Sequence, residues 1–374
     1  MVRTQIELTD PRTVFRQCER FLGGGSLPTP AEELSRLAQE VAGDARGDHY
    51  AEGEIVQDFE REIAELLGKE AAMVCPTGVM AQQIALRIWS ERKGSRTVVF
   101  HPMCHMETRE AKAYQLLHGL HARLVGSPRH LLTLEDLQAV AEPAAALLLE
   151  LPQRDLGGQL PAWEELEAQV ALARERGWAV HLDGARIWQA GPFYQRPYAE
   201  IAALFDSVYV SFYKDLRALA GAALAGPADV IAEAHVWRRR HGGELFQYYP
   251  QVVSARLGLR EQLPRMAEYA QRARHLAGIL RAIPGIVIKP DPPQTNMMHI
   301  YLHGDREALM ERAMALAREE KVALFSGLRE AEVPDWSMFE ETIADTENAL
   351  SDDEVREYVM RVLAPEPAPV PSPA

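Results

Sequence analysis

His181-Leu182-Asp183-Gly184-Ala185-Arg186 and Ser207-Val208-Tyr209-Val210-Ser211-Phe212-Tyr213-Lys214 are the stretches whose reading decides the fold. Each is an apolar, β-branched or aromatic run that stops at a charged residue. A buried parallel strand does this when it delivers a side chain to the carboxyl edge of its sheet. One run delivers Asp183, the other Lys214. Working outward, the sequence predicts a strand over Ala71 to Pro76, a helix from Thr77 to about Trp89, and a strand over Thr97 to Phe100. A helix over Ala111 to Leu117, a strand over Ala122 to Val125, a helix over Leu134 to Val140 and the apolar run Ala144 to Leu151 follow. Then come a helix over Ala162 to Glu175, the Trp178 to Asp183 strand, a helix over Tyr198 to Leu204, the strand ending in Lys214, and a small-residue strand over Gly221 to Gly226. Alternation of this kind is the grammar of an α/β fold with one parallel-dominated sheet, here spanning positions 70 to 226.

Outside that block the chain reads as appendages. Residues 1–50, with Gly23-Gly24-Gly25-Ser26 and a helical pattern at Leu34, Leu37 and Val41, look like an N-terminal arm suited to wrapping a neighbour. Helical spacing of Ile55, Phe59, Ile63, Leu66 and Leu67 opens a large domain over 51–255, with Gly68 as the stop signal. A helical stretch from Val252 to Ile283, strands at Gly285 to Ile288 and Met297 to Leu302, and a helix at Arg306 to Glu320 suit a smaller C-terminal α/β domain over 256–363. Pro-rich residues 364–374 read as a disordered tail.

Composition narrows the function classes. With 47% hydrophobic and 25% charged residues the 374-residue chain can bury a substantial core. A formal net charge of -14 argues against nucleic acid as a partner and for small-molecule or protein partners. Cys18, Cys75 and Cys104 are widely spaced and form no CxxC pair, so neither a disulfide framework nor a zinc ribbon is indicated, and a cytoplasmic setting is the simplest. No signal-like N-terminus or membrane-spanning run is expected.

A carboxylate and an amine at neighbouring strand ends point to pyridoxal 5'-phosphate. The amine of Lys214 forms the imine with the cofactor, and Asp183 keeps the ring nitrogen protonated as an electron sink. Thr77-Gly78-Val79, between a strand and a helix, makes either an anion site built from amides and the Thr77 hydroxyl or a plain strand-to-helix turn. His101, Cys104 and His105 raise the alternative of a metal cluster. Pro102 breaks their helical spacing and no distant ligand pair is evident, so no metal is expected. A nicotinamide dehydrogenase is disfavoured, because no G-x-G-x-x-G follows the first strand.

Taken together, His181-Leu182-Asp183-Gly184-Ala185-Arg186-Ile187, Phe59-Glu60-Arg61-Glu62-Ile63-Ala64-Glu65-Leu66-Leu67-Gly68 and Trp237-Arg238-Arg239-Arg240-His241-Gly242-Gly243 resemble the threonine aldolase and β-eliminating lyase family of fold-type I pyridoxal phosphate enzymes, over roughly residues 28 to 305. The resemblance implies a large domain with a mostly parallel, seven-stranded-type sheet and a smaller C-terminal domain. It implies that Lys214 bears the cofactor, Asp183 pairs with its ring nitrogen, His105 stacks on the ring, and Arg186 holds the substrate carboxylate. It also implies a homodimer or homotetramer with a small amino acid as substrate. The expected reaction is retro-aldol cleavage of a β-hydroxy-α-amino acid to glycine and an aldehyde. β-Elimination or other Cα chemistry on a different amino acid is the alternative, and non-catalytic cofactor binding a further one. The sequence departs from the family at several places. Tyr213, not serine, precedes the lysine, with Ser211 as the substitute phosphate ligand. Leu151-Pro152-Gln153-Arg154 stands where aldolases carry a Thr-His-Asn segment, Phe246 lies where an arginine usually reaches a neighbouring subunit, and Ser337 to Glu341 lacks a second carboxylate-binding arginine.

Overall fold

The computed structural model describes residues 11–25, 28–41, 43, 45–344 and 347–363. These fall into two compact units, one built from Pro28–Glu268 and the other joining the described part of Met1–Leu27 to that of Tyr269–Ala374. The chain thus divides after residue 268, whereas the sequence reading divides it after 255. The segment before residue 50 is shared between the units instead of forming a separate arm. The expected disordered tail, 364–374, lies outside the described residues, as does Ser26 of the glycine-rich turn.

The larger unit is organised on seven strands: β1 (Ala71–Cys75), β2 (Thr97–Phe100), β3 (His121–Leu124), β4 (Ala146–Glu150), β5 (Ala179–Gly184), β6 (Ser207–Ser211) and β7 (Ala222–Gly226). Their spatial order is β1-β7-β6-β5-β4-β2-β3. All neighbours are parallel except that β7 runs antiparallel to both β1 and β6. Strands β5, β6 and β7 are buried along their whole length, which accounts for their continuous apolar runs. Small residues in β7 let backbones approach closely. A side chain at Gly226 would sit 3.2 Å from the Asp206 carbonyl oxygen.

Four helices of this unit bear on the site. Helix α1 (Pro30–Glu40) begins at Thr29, whose hydroxyl accepts from the Glu32 amide while Glu32 returns the bond, a reciprocal cap. Its Leu37 packs on Val253 and Leu257 of a helix over Tyr249–Glu261 in the same chain. Helix α2 (Glu54–Leu66) buries Phe59 and Ile63 of the anticipated stripe, with Leu67 at its end, whereas Ile55 and Leu66 are half-buried and Val56 is buried in addition. Helix α3 (Gly78–Lys93) follows β1 and is capped by Thr77 at one end and by left-handed Gly94 at the other. Helix α4 (Ile187–Tyr194) follows β5 directly. Asp48, fully buried, accepts from the amides of Ala51, Tyr248 and Tyr249 at 2.8–3.0 Å, stitching the segment after α1 to the start of the Tyr249 helix.

The smaller unit carries an antiparallel sheet ordered Arg329–Glu330, Trp336–Thr342, Met297–His303, Ile286–Lys289, together with a helix at Arg306–Glu320. Arg20–Phe21 pairs in parallel with Val322–Ala323, so the N-terminal segment belongs to this unit. The strand Trp336–Thr342 had no counterpart in the sequence reading. Among the described residues no helix is long and apolar enough to cross a membrane.

Candidate active site

The carboxyl ends of β4, β5 and β6 and the amino end of α3 bring the chemistry-bearing residues together. Asp183 is one residue from the end of β5 and 1% exposed. Its Oδ1 accepts from the Ala185 amide at 3.1 Å and its Oδ2 from Gln82 Nε2 of α3 at 2.9 Å. Glu150 ends β4 and is the register neighbour of Asp183. It accepts from the Arg154 amide and Gln153 Nε2, both at 3.1 Å, and from the His105 amide at 3.3 Å. Burial, and next the Asp183 carboxylate, push its carboxyl above the usual range to about 7.

Lys214 is not at a strand terminus. β6 stops at Ser211, and Lys214 sits on the turn beyond it, its carbonyl accepting from the Arg217 amide at 3.1 Å. This corrects the sequence reading, which ran the strand through to the lysine. The turn leaves the amine half-buried. Burial first and the Arg186 guanidinium second lower its proton affinity, with Asp183, Glu150 and Asp215 acting in the opposite sense. Arg186 lies between the end of β5 and α4, half-buried, and forms no ion pair among the described residues, so its guanidinium fork is available to a ligand. Asp215, next to the lysine and 4% exposed, accepts from Gln189 Nε2 of α4 at 2.7 Å. Burial raises its pKa, opposed by Arg186, Gln189 and Lys214.

At the start of α3, the Thr77 hydroxyl accepts from the Met80 amide at 3.2 Å, and Thr77 and Val79 are exposed. Gly78 is buried against the Tyr209 ring of β6. A Cβ there would overlap Oη and Cζ and lie 2.6 Å from Cε2. Tyr209 Oη in turn faces the hydroxyls of Ser211 and Tyr213, which gathers hydroxyls beneath a helix N-terminus.

His105 is 27% exposed, and its Nδ1 lies 2.9 Å from Glu110 Oε1. Glu110 also accepts from Gln82 Nε2 at 3.2 Å and from Gln83 Nε2 at 3.0 Å. His101 is turned away from any such cluster. Its Nε2 lies 2.8 Å from the Ser127 carbonyl and 3.0 Å from that of His130, and its Nδ1 accepts from the Met103 amide at 3.1 Å.

Residues 26–303 match the model of the beta-eliminating lyase family. The chain belongs to that family. A solved structure of a candidate L-allo-threonine aldolase from Listeria monocytogenes EGD-E is 38% identical and superposes with a TM-score of 0.89, covering 96% of this chain and 99% of its own. Low specificity L-threonine aldolase of Escherichia coli O157:H7 is 29% identical over 77% of this chain and 85% of its own length. Low-specificity L-threonine aldolase 1 of Arabidopsis thaliana is 26% identical over 72% and 78%. The β-eliminating lyases and threonine aldolases are fold-type I pyridoxal phosphate enzymes, and the sheet order and the smaller C-terminal sheet of this member are those of that fold.

The donor set fits that cofactor. A lysine amine of reduced proton affinity and a buried carboxylate on the adjacent strand suit the aldehyde and the ring nitrogen. The start of α3, with exposed Thr77 and Val79 and the Tyr209 hydroxyl packed against side-chain-free Gly78, offers amides and hydroxyls that suit a phosphate. The structure brings Thr77, Gly78, Val79, His105, Asp183, Arg186, Ser211 and Lys214 into the same unit, at strand ends, post-strand turns and the start of α3. The sequence reading did not single out Gln82, Glu110, Asp215 or Tyr209. For Glu110 the only local signal is a second acid shortly after His105, and the short helix His105–Thr108 ends before reaching it.

Proposed function

We propose that this lyase-family member cleaves β-hydroxy-α-amino acids between Cα and Cβ, releasing glycine and an aldehyde, with pyridoxal 5'-phosphate held at Lys214. The observation that carries the reading is a lysine of lowered proton affinity on the turn just after β6, with the buried Asp183 near the end of the neighbouring strand β5. When bound, the cofactor supplies an electron sink for the charge left at Cα. Every other task falls to this chain. Asp183, kept in place by the Ala185 amide and Gln82, holds positive charge on the ring nitrogen. Thr77, Gly78, Val79 and Ser211 take the phosphate, with the Tyr209 hydroxyl beside them. Arg186 would take the substrate carboxylate and so fix how the amino acid is oriented at Cα. His105 receives the β-hydroxyl proton.

Supporting this reading are the threonine aldolase relatives at 26–38% identity. β-Elimination is the second reading, favoured by one observation. The segment Glu150 to Gly158 stands where aldolases carry a Thr-His-Asn segment, and within it the Gln153 amide donates to the Met103 carbonyl and to Glu150, each at 3.1 Å. Incubating the cofactor-loaded protein with L-threonine and L-allo-threonine decides the matter. Glycine and acetaldehyde in equal amounts support cleavage, whereas ammonia with a keto acid supports elimination. We further propose a homodimer or homotetramer in the cytoplasm, a setting consistent with three buried free cysteines.

A further inference from the structure

Beneath the site runs a buried hydrogen-bonded chain that the reaction scheme above does not use. Gln82 Nε2 donates one hydrogen to Asp183 Oδ2 at 2.9 Å and the other to Glu110 Oε1 at 3.2 Å. The same Oε1 lies 2.9 Å from His105 Nδ1, and Glu110 Oε2 accepts from Gln83 Nε2 at 3.0 Å. Gln82 and Gln83 are each 1% exposed, and the Glu110 side chain is wholly buried. An ionised carboxylate can only accept hydrogen bonds, so the proton in the His105–Glu110 contact belongs to Nδ1. Nε2 then carries the lone pair, and it has no protein partner among the described residues. The His105 backbone is fixed independently, since its amide donates to Glu150 at 3.3 Å. The histidine is thus held at two points by two different carboxylates.

From this geometry we infer that Glu110 is a positioning residue which locks His105 in its Nδ1–H tautomer and makes Nε2 the proton acceptor of the site, while Gln82 ties the same carboxylate to Asp183. The inference rests on the cleavage reading for the identity of the proton, which leaves the β-hydroxyl as the O–H electron pair becomes the aldehyde C=O bond and the Cα–Cβ pair passes to Cα. The imidazolium so formed is balanced by the Glu110 carboxylate, at no cost of rearrangement because the contact already exists. Glu110 itself touches neither substrate nor cofactor.

The tautomer can be read without turnover. In cofactor-loaded protein labelled with 15N-histidine, with the signal assigned by its loss in H105F, His105 should show a protonated Nδ1 and an unprotonated Nε2. The opposite tautomer in the wild type overturns the proposal whatever reaction the protein catalyses, whereas failure to release glycine overturns only the cleavage reading. Glu110→Gln retains an acceptor for Nδ1 and should keep the tautomer, but without the carboxylate charge that balances the imidazolium the acid limb of its pH profile should move to lower pH. Glu110→Leu removes the acceptor. It should give mixed tautomers and lower kcat by about 10- to 100-fold with KM little changed, on the scale of losing a supporting partner. In an H105F background, adding Glu110→Leu should cause no further loss. A further tenfold drop there would mean that Glu110 acts by another route. If Glu110→Leu does not fold, the wild-type tautomer and the Glu110→Gln pH profile still decide.

Discussion

Replacing Gly78 by alanine tests whether the start of α3 is the phosphate cradle. The added methyl meets one rigid object, the Tyr209 ring, overlapping Oη and Cζ and approaching Cε2 to 2.6 Å. The ring cannot swing aside: Tyr209 is 2% exposed and sits in β6, which is paired on both edges. The helix start must therefore shift. Overpacking of this kind costs ~1–3 kcal/mol. Taken wholly from cofactor binding, that is roughly 5- to 140-fold in affinity. The assay is an absorbance titration of cofactor-free G78A with pyridoxal phosphate, beside a thermal melt of the cofactor-free protein to separate the loss of binding from the loss of fold. The atoms involved make the test sharper. Tyr209→Phe removes Oη but leaves Cζ and Cε2 in the way, so G78A/Y209F should remain impaired, whereas G78A/Y209L should recover affinity. Wild-type affinity and melting in G78A, or full recovery in G78A/Y209F, would refute the steric reasoning.

Asp183→Asn should keep the visible absorbance of the bound cofactor while lowering kcat on the order of 10²–10³-fold, as expected when a charge aimed at the reacting system is removed; unchanged kcat in a fully loaded variant would remove Asp183 from the mechanism. Arg186→Met deletes a cation that lowers the proton affinity of Lys214, so the spectroscopic titration of the lysine should move to higher pH and KM for the amino acid should rise; a shift to lower pH would contradict the arrangement. Glu60 accepts from the Val74 amide at 2.8 Å, and burial raises its carboxyl from 4.5 to about 7. Because the folded state prefers it protonated, stability is fully present below pH 4.5 and is lost as pH rises through 7. Glu60→Gln should therefore raise the unfolding free energy at pH 8.5 by up to ~3 kcal/mol and give no gain near pH 4.5, measured by urea denaturation. Equal gains at both pH values would show that the carboxyl is not the cause.

Much of the fold was legible because strand ends and helix starts are local events. Thr97–Phe100 and Arg306–Glu320 fall where their spacing places them, and β5 carries Asp183 at its end as its apolar run suggests. Lys214 was legible as the charged residue that closes an apolar run but not as a turn residue. Phe212 and Ala218, which sound like strand and helix, instead close a loop through the Ala218 amide on the Phe212 carbonyl at 2.9 Å. The antiparallel direction of β7 was not legible, since four small residues and one leucine carry no directional pattern. Gln82 and Glu110 escaped for a different reason. They lie 101 and 73 positions from Asp183, one on a helix and the other on the bend after a short helix, and a lone polar side chain acquires meaning only from what folds against it. The departures around the lysine were visible as departures, but what stands in their place, such as Asp215 held by Gln189, needed coordinates.

The antiparallel β7 also bears on the order in which this protein comes into being at the ribosome. β1, which leads into the Thr77-Gly78 turn proposed for the phosphate, has β7 as its only sheet partner among the described residues. A chain grown only to Lys214 has therefore made both halves of the cofactor site without the strand that binds one to the other. Pairing between Cys75 and Ala222 spans most of the larger unit and closes a long loop, the kind of contact that forms late and slowly. The nascent chain should gain cofactor affinity in a single step once Gly226 has cleared the exit tunnel, and a chain stalled earlier should present the lysine with no cradle opposite it.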